Sequence, residues 1–185
     1  MSVERKSPWV VDTRELGRRA GLSRELHRVV QSRHPLGVEG VIAVPAGADI
    51  ELDVLFESVV EGVLVSGTAH APIAGECSRC LDPIKGDEID VDFTELYAYP
   101  DSATEQTTDE DEIARLVDDL VDLEPVVRDA TVLALPSAPL CTPDCAGLCP
   151  DCGGKWADLG PDHRHETIDP RWAALTERFS TDRDD

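Results

Sequence analysis

Residues 50–56 read Ile-Glu-Leu-Asp-Val-Leu-Phe, and residues 89–94 read Ile-Asp-Val-Asp-Phe-Thr. In both stretches apolar side chains alternate with polar or charged ones. An alternation with a period of two is typical of a β-strand that buries one face and exposes the other. Turn-forming residues, Glu61-Gly62 and Lys85-Gly86-Asp87, separate such runs between residues 38 and 99. The sequence therefore predicts an antiparallel, meander-like sheet over this region.

Segments on both sides of the predicted sheet have apolar residues at helical spacing. This spacing and polar N-cap residues predict two short helices over residues 13–20 and 23–31, preceded by an extended segment at 9–11. Later in the chain the same reasoning predicts helices over residues 113–123, where a strand is the alternative, 123–134 and 170–179. The acidic stretch 100–112 is poor in core-forming residues and is predicted to be a mobile loop.

The chemistry of the chain is concentrated in its cysteines and in two histidines near its C-terminal end. They form four closely spaced pairs: Cys77/Cys80, Cys141/Cys145, Cys149/Cys152 and His163/His165. Two cysteines separated by two or three residues can turn both thiolates toward one ion, and zinc takes four nitrogen or sulfur ligands in a tetrahedron. Three such cysteine pairs are improbable by chance. We therefore predict Zn²⁺ as the cofactor, with one ion expected and ligands enough for a second.

The eight ligands can be grouped in more than one way. The preferred grouping places Cys77, Cys80, Cys141 and Cys145 on one ion and Cys149, Cys152, His163 and His165 on a second. One rival is a compact site made by the four cysteines after residue 140, and another joins the first cysteine pair to the third. The two histidines could also be ordinary surface residues, which would leave a single site.

A zinc ion with four thiolate ligands has no open coordination position, whereas a catalytic zinc keeps one for water or substrate. The first site is therefore predicted to be structural, joining the sheet to the segment after residues 123–134. A thiol redox role is the alternative, but redox CxxC motifs belong to a βαβ setting, and Asp82-Pro83 indicates a turn here. Neither GxSxG nor HExxH occurs in the chain, so it is predicted not to be an enzyme.

Together these patterns predict an α+β fold: an antiparallel, meander-like sheet with short flanking helices and a C-terminal zinc-knuckle region. The predicted body spans residues 1–136 and includes the N-terminal helices and the acidic loop. The predicted knuckle region spans residues 137–185, with the C-terminal helix packed on the body. The sequence has no run of about 18 apolar residues and no apolar N-terminal segment of signal-peptide length, so a cytoplasmic protein that does not enter a membrane is expected.

Charge is unevenly distributed along the chain, whose formal net charge is −21. Residues 1–40 carry eight basic and five acidic residues, whereas residues 41–185 carry nine basic and 33 acidic residues. Such an acidic surface repels nucleic-acid phosphates. Contact with RNA is therefore expected only at four arginines of the N-terminal region: Arg18, Arg19, Arg24 and Arg28. The alternative is that these arginines are solvated or pair with the acidic body.

Several motifs, taken in order, resemble those of one family. They are Glu76-Cys-Ser-Arg-Cys80, Asp122-Leu-Glu-Pro125, Leu133-Ala-Leu-Pro136, Pro139-Leu-Cys141, Cys145-Ala-Gly-Leu-Cys-Pro-Asp-Cys-Gly153 and Asp169-Pro-Arg171. This series resembles the YceD family, also called large ribosomal RNA subunit accumulation proteins, over roughly residues 12–179. The chain departs from the family pattern at His163 and His165, where at least one cysteine would be expected.

The resemblance implies a bacterial or plastid protein linked to the accumulation or processing of large-subunit ribosomal RNA. It implies a large-subunit ribosomal protein or an rRNA precursor as the partner, with no small-molecule substrate and no catalytic residue. The function expected from these arguments is that of a non-enzymatic, zinc-binding ribosome-biogenesis factor. The alternatives are an RNA-binding zinc module that uses the N-terminal arginines and a thiol redox or zinc-sensing protein.

Overall fold

The computed structural model describes residues 7–100, 102, 113–165 and 171. Within these residues the chain forms, in order, β1 (Val10–Asp12), β2 (Ser23–Gln31), β3 (Leu36–Val38), β4 (Ile42–Val44), β5 (Asp49–Ser58), β6 (Gly62–Glu76), β7 (Pro83–Ala98), β8 (Ala114–Arg115), β9 (Leu120–Asp122) and α1 (Glu124–Ala134). Sheet dominates, and α1 is the single helix of this described part. The prediction of an α+β fold with several short flanking helices is therefore wrong.

The centre of the molecule is an antiparallel meander of β5, β6 and β7. β6 pairs with β5 from Val63 to His70 and with β7 from Gly62 to Glu76. β2 lies beyond β5, β4 and β3 extend the sheet near the far end of β6, and the short β8 pairs in parallel with the end of β7. β1 and β9 form a separate two-stranded antiparallel sheet. The two alternating stretches that predicted strands lie in β5 and β7.

The predicted helix over residues 23–31 is a strand, β2, paired antiparallel with β5 along its whole length. Leu26 and Val30 are four residues apart, a separation that puts two side chains on the same side of a helix and also on the same face of a strand. Val30 is buried, while Glu25, His27 and Val29 are exposed. This short segment therefore fits the helical period and the strand period equally well, and its pairing with β5 is what makes it a strand.

The other two short helices predicted around the sheet are also absent from the described residues. Residues 13–20 form turns, and the Thr13 hydroxyl donates a hydrogen bond to the Asp119 carbonyl at 2.8 Å instead of capping a helix. In residues 113–123 the strand alternative is correct. Asp118 and Asp119 both have positive φ, 57° and 58°, as a two-residue hairpin turn of the primed type requires, and this reverses the chain between β8 and β9.

The helix predicted over residues 123–134 is confirmed as α1. Pro125 lies in its first turn, where a missing N–H leaves no hydrogen bond unmade. The helix buries Val127 and Thr131 and packs against β7 and β3. Leu123, which precedes the helix, is completely buried in the main core. α1 therefore covers the inner face of the sheet, and the loop that follows it contains the later cysteines.

Two predictions fall largely outside the described residues: the mobile loop at 100–112 and the helix at 170–179. The division into a body and a knuckle region at residue 136 stays a prediction. None of the helical segments in the described ranges is both long enough and apolar enough to cross a membrane.

Candidate metal centres

The first cysteine pair, Cys77/Cys80, lies in the turn that joins β6 to β7. The Cys77 N–H donates to the Asp82 carbonyl at 2.8 Å, and the Leu81 N–H donates to the Cys77 carbonyl at 2.9 Å. These bonds close a compact loop at the end of a hairpin made from the two longest strands of the sheet. Both thiols are therefore presented from one well-supported turn.

The second cysteine pair, Cys141/Cys145, lies in the loop that follows α1. Two hydrogen bonds tie this loop to the first turn: the Ser78 N–H donates to the Pro139 carbonyl at 2.8 Å, and an Arg79 guanidinium nitrogen donates to the Cys145 carbonyl at 2.8 Å. Pro139 is fully buried. The chain thus brings together two loops more than sixty residues apart in sequence through contacts of the protein itself.

The four sulfurs of these pairs have the separations that a tetrahedral ion needs. Cys77 Sγ is 3.7 Å from Cys145 Sγ, and Cys80 Sγ is 3.5 Å from Cys141 Sγ. All four lie within 4.8 Å of one another. Zinc–sulfur bonds of about 2.3 Å in a regular tetrahedron place the sulfurs about 3.8 Å apart. The residues present therefore fit a four-thiolate metal site.

Backbone N–H groups and burial set the acidity of these thiols. Burial raises the pKa of Cys77, but the N–H groups of Cys141, Cys80 and Arg79 lower it more, to about 6. Burial raises the pKa of Cys145, and the neighbouring thiols Cys80 and Cys77 raise it further. One thiolate is thus stabilised by the protein, while the others ionise together only when a cation offsets their mutual repulsion.

A second group consists of Cys149, Cys152, His163 and His165, whose ligand atoms also lie within 4.8 Å of one another. Cys152 Sγ is 3.6 Å from His163 Nε2, which suits a shared ion. The two Nε2 atoms are 2.8 Å apart, shorter than the roughly 3.3 Å edge of a regular zinc–imidazole tetrahedron and within hydrogen-bond distance. Cys149 is buried, but Cys152 and His165 are exposed. The donor set fits a metal, in a more open setting than the first group.

The structure therefore brings the eight predicted ligands together in the preferred grouping. Neither rival grouping, the four later cysteines alone or the first pair with the third, is the one that converges in the described residues. Both groups could hold a metal ion.

The turn after each CxxC pair has the same backbone geometry. The Gly153 N–H donates to the Cys149 carbonyl at 2.8 Å, with Gly153 at a φ of 70°. Leu81 makes the equivalent bond to Cys77 at a φ of 61°. Glycine takes positive φ without strain, whereas a leucine there brings its Cβ too close to the backbone. The first turn thus keeps a strained residue where the second has glycine.

Leu81→Gly is expected to stabilise the protein by about 1 kcal/mol, because it removes this strain at the cost of a side chain that is 62% exposed. Urea unfolding with the metal content held constant would measure the change. Val60→Gly, at another exposed apolar residue but one without positive φ, is the control and is expected to destabilise. A loss of stability in both variants would contradict the strain argument.

Asp82 and Lys155 connect the two groups, and neither is predicted from the sequence to be part of a site. Their side chains form an ion pair across 73 positions of sequence. Lys155 lies opposite Leu148 in an antiparallel bridge next to Cys149, and this ion pair is the main cause of the lowered pKa of Asp82. A carboxylate two residues after a CxxC motif is a weak signal, and nothing in the sequence pairs it with a lysine so distant.

The arginines predicted to contact RNA lie in the N-terminal turns and in β2. Three of them bind the protein itself: Arg18 pairs with Asp119 at 3.0 Å, Arg24 donates to the Asp12 carbonyl at 3.3 Å, and Arg28 donates to the Pro8 and Val10 carbonyls at 2.7 and 3.1 Å. Arg19 is exposed. These contacts agree with the alternative in which the arginines pair with the body, and RNA contact stays a prediction.

The chain is similar to a known protein family and to several mycobacterial proteins. Residues 65–177 match the family described as "Large ribosomal RNA subunit accumulation protein YceD". Uncharacterized proteins of Mycobacterium bovis and Mycobacterium tuberculosis are 53% identical to the chain over 178 residues, which cover 96% of this chain and 84% of theirs. An uncharacterized protein of Mycobacterium leprae is 44% identical over 176 residues, covering 95% of this chain and 80% of its own. No solved structure matches the chain.

Proposed function

This chain belongs to the YceD family of large ribosomal RNA subunit accumulation proteins, and on that premise we propose that it is a non-enzymatic, zinc-binding factor that supports the accumulation or processing of large-subunit ribosomal RNA. The observation that carries the proposal is the convergence of Cys77, Cys80, Cys141 and Cys145 inside the region matched to the family. Four thiolates would saturate a zinc ion, which would then act as a structural crosslink and not as a Lewis acid toward substrate.

Cys149, Cys152, His163 and His165 would hold a second zinc ion. Its ligands are more exposed, and we propose that it stabilises the loop after Gly147 and contributes less to the stability of the core. A thiol redox role is supported less well, because Cys77, the thiol with the pKa of about 6, is 0% exposed.

The partner that the charge favours is a basic large-subunit ribosomal protein. A net charge of −21 attracts lysine- and arginine-rich polypeptides and repels bare RNA. The expected site of action is the cytoplasm, where large subunits are assembled in bacteria.

The function is tested by the ratio of large- to small-subunit ribosomal RNA in the host bacterium. Deletion of the gene is expected to lower this ratio, wild-type protein to restore it, and a Cys77→Ser/Cys80→Ser variant to fail to restore it. Gly160→Ala is the matched control, because its new Cβ would meet nothing within 4 Å. An unchanged ratio in the deletion strain, with no ribosomal protein or rRNA precursor retained by the tagged protein, would refute the proposal.

A further inference from the structure

A groove of about 520 Å³ runs between β7 and α1, away from the candidate metal centres. Its strand side is formed by the consecutive residues 90–95, and its helix side includes Val126, Ala130 and Leu133. Side chains of consecutive strand residues point to opposite faces of a sheet. A groove lined by all of them therefore follows the edge of the strand, where its main chain is accessible.

β7 has an open edge along this groove. One side of the strand pairs with β6 over its whole length, whereas on the other side β8 pairs only with Tyr97 and Ala98. In the part of the chain that the structure describes, residues 83–96 have no strand on that second side. An unpaired edge presents a row of N–H and C=O groups to which another extended chain can add.

The side chains around this edge define what kind of chain would fit. Glu95 is partly buried on the inner face, and its pKa is raised by burial and by the nearby carboxylate of Asp129. Asp129 is exposed and has Arg128 beside it at 3.3 Å. Leu133 lies on the same helix wall as Asp129 and is 86% exposed. A cationic side chain would relieve the repulsion between the two carboxylates, and an apolar one would cover Leu133.

We propose that an extended, lysine- or arginine-rich protein segment docks in this groove as an additional strand on the open edge of β7, alongside α1. Main-chain hydrogen bonds to β7 provide the affinity. Every second side chain of the added strand points toward α1, and among these Glu95 and Asp129 select basic ones and Leu133 an apolar one. The inference rests on the proposed function for the source of this segment, a basic ribosomal protein. The groove itself can be tested without that protein.

The probe is a short synthetic peptide of repeating Lys-Lys-Val-Val with blocked ends, which puts both Lys and Val on the face toward α1. It is titrated into the full zinc-loaded chain and followed by fluorescence anisotropy and amide NMR shifts. We expect saturable binding with the largest shifts at residues 90–95. Methylating the peptide nitrogens on one edge should weaken binding about tenfold or more, because it removes the added-strand hydrogen bonds. Asp129→Lys and Leu133→Glu should each weaken it several-fold.

Two controls separate the groove from the acidic surface as a whole. Glu39→Lys makes the same charge change as Asp129→Lys at an exposed loop position, and Val60→Glu matches Leu133→Glu at a residue that is 80% exposed. Equal weakening by the controls, or full binding by the methylated peptide, would overturn the inference.

The proposed function and the groove can fail separately. Groove variants that lose the peptide yet still restore the rRNA ratio would show that the natural partner docks elsewhere, which overturns the inference and leaves the function standing. Peptide binding at residues 90–95 in a protein whose deletion leaves the rRNA ratio unchanged would support the groove and refute the function.

Discussion

Replacement of Cys77 by serine is expected to remove one of the two zinc ions proposed per chain and to lower the free energy of unfolding by about 5 kcal/mol or more. A structural zinc site contributes roughly 10 kcal/mol or more of apparent binding free energy, which counts as folding free energy because the unfolded chain does not hold the site together. Cys77 is completely buried, and its sulfur lies 3.7 Å from that of Cys145. Elemental analysis and urea unfolding would measure the two effects.

Cys152→Ser is the matched control for this prediction. It removes one ligand of the same type, but from an exposed position in the second group. We expect it to remove the other zinc ion and to cost no more than about 2 kcal/mol. Both variants and the wild type are also unfolded in excess chelator, where none of them holds metal. A stability difference caused by metal loss disappears under these conditions, whereas one caused by the buried serine hydroxyl remains. If Cys77→Ser kept both ions, the shared four-thiolate site would be refuted.

Gly75→Ala is expected to destabilise the protein by about 3 kcal/mol or more and to weaken metal retention at the first site. Gly75 pairs with Ile42 where β4 runs antiparallel to β6, and the Glu76 N–H donates to the Val41 carbonyl at 2.9 Å. A Cβ on Gly75 would overlap the Val41 carbonyl oxygen and come within 2.8 Å of the Ile42 Cα. Since both contacts are backbone, β4 or β6 must move, and β6 leads directly into Cys77.

The measurement for Gly75→Ala is thermal or urea unfolding together with the rate of zinc release to a colorimetric chelator. Gly160→Ala provides the comparison, since its added methyl group would have open space around it. Faster zinc release from Gly75→Ala alone would connect the packing of β4 on β6 to the metal site. Equal stability of the two variants would mean that the sheet accommodates the methyl group, contrary to the close backbone contacts between β4 and β6 at Gly75.

Local patterns predicted the parts of this protein that depend on neighbours in sequence. The alternation at residues 50–56 and 89–94 identified β5 and β7, and the apolar spacing after Leu123 identified α1. The same reasoning was wrong for residues 23–31. Leu26 and Val30 satisfy a helix and a strand alike, and the long hydrogen-bonded pairing with β5 was the deciding interaction.

The candidate metal centres were likewise predictable from the sequence only in part. Amino-acid type and spacing were enough to identify Cys77/Cys80 and the other pairs as ligands, because two side chains two or three residues apart meet by local geometry. Which pairs share an ion depends on contacts between residues far apart, such as the Ser78 and Arg79 hydrogen bonds to the loop after α1 and the Asp82–Lys155 ion pair. Those contacts exist only after β6, β7 and α1 have packed, so the grouping of ligands and the open edge of β7 are properties of the assembled fold.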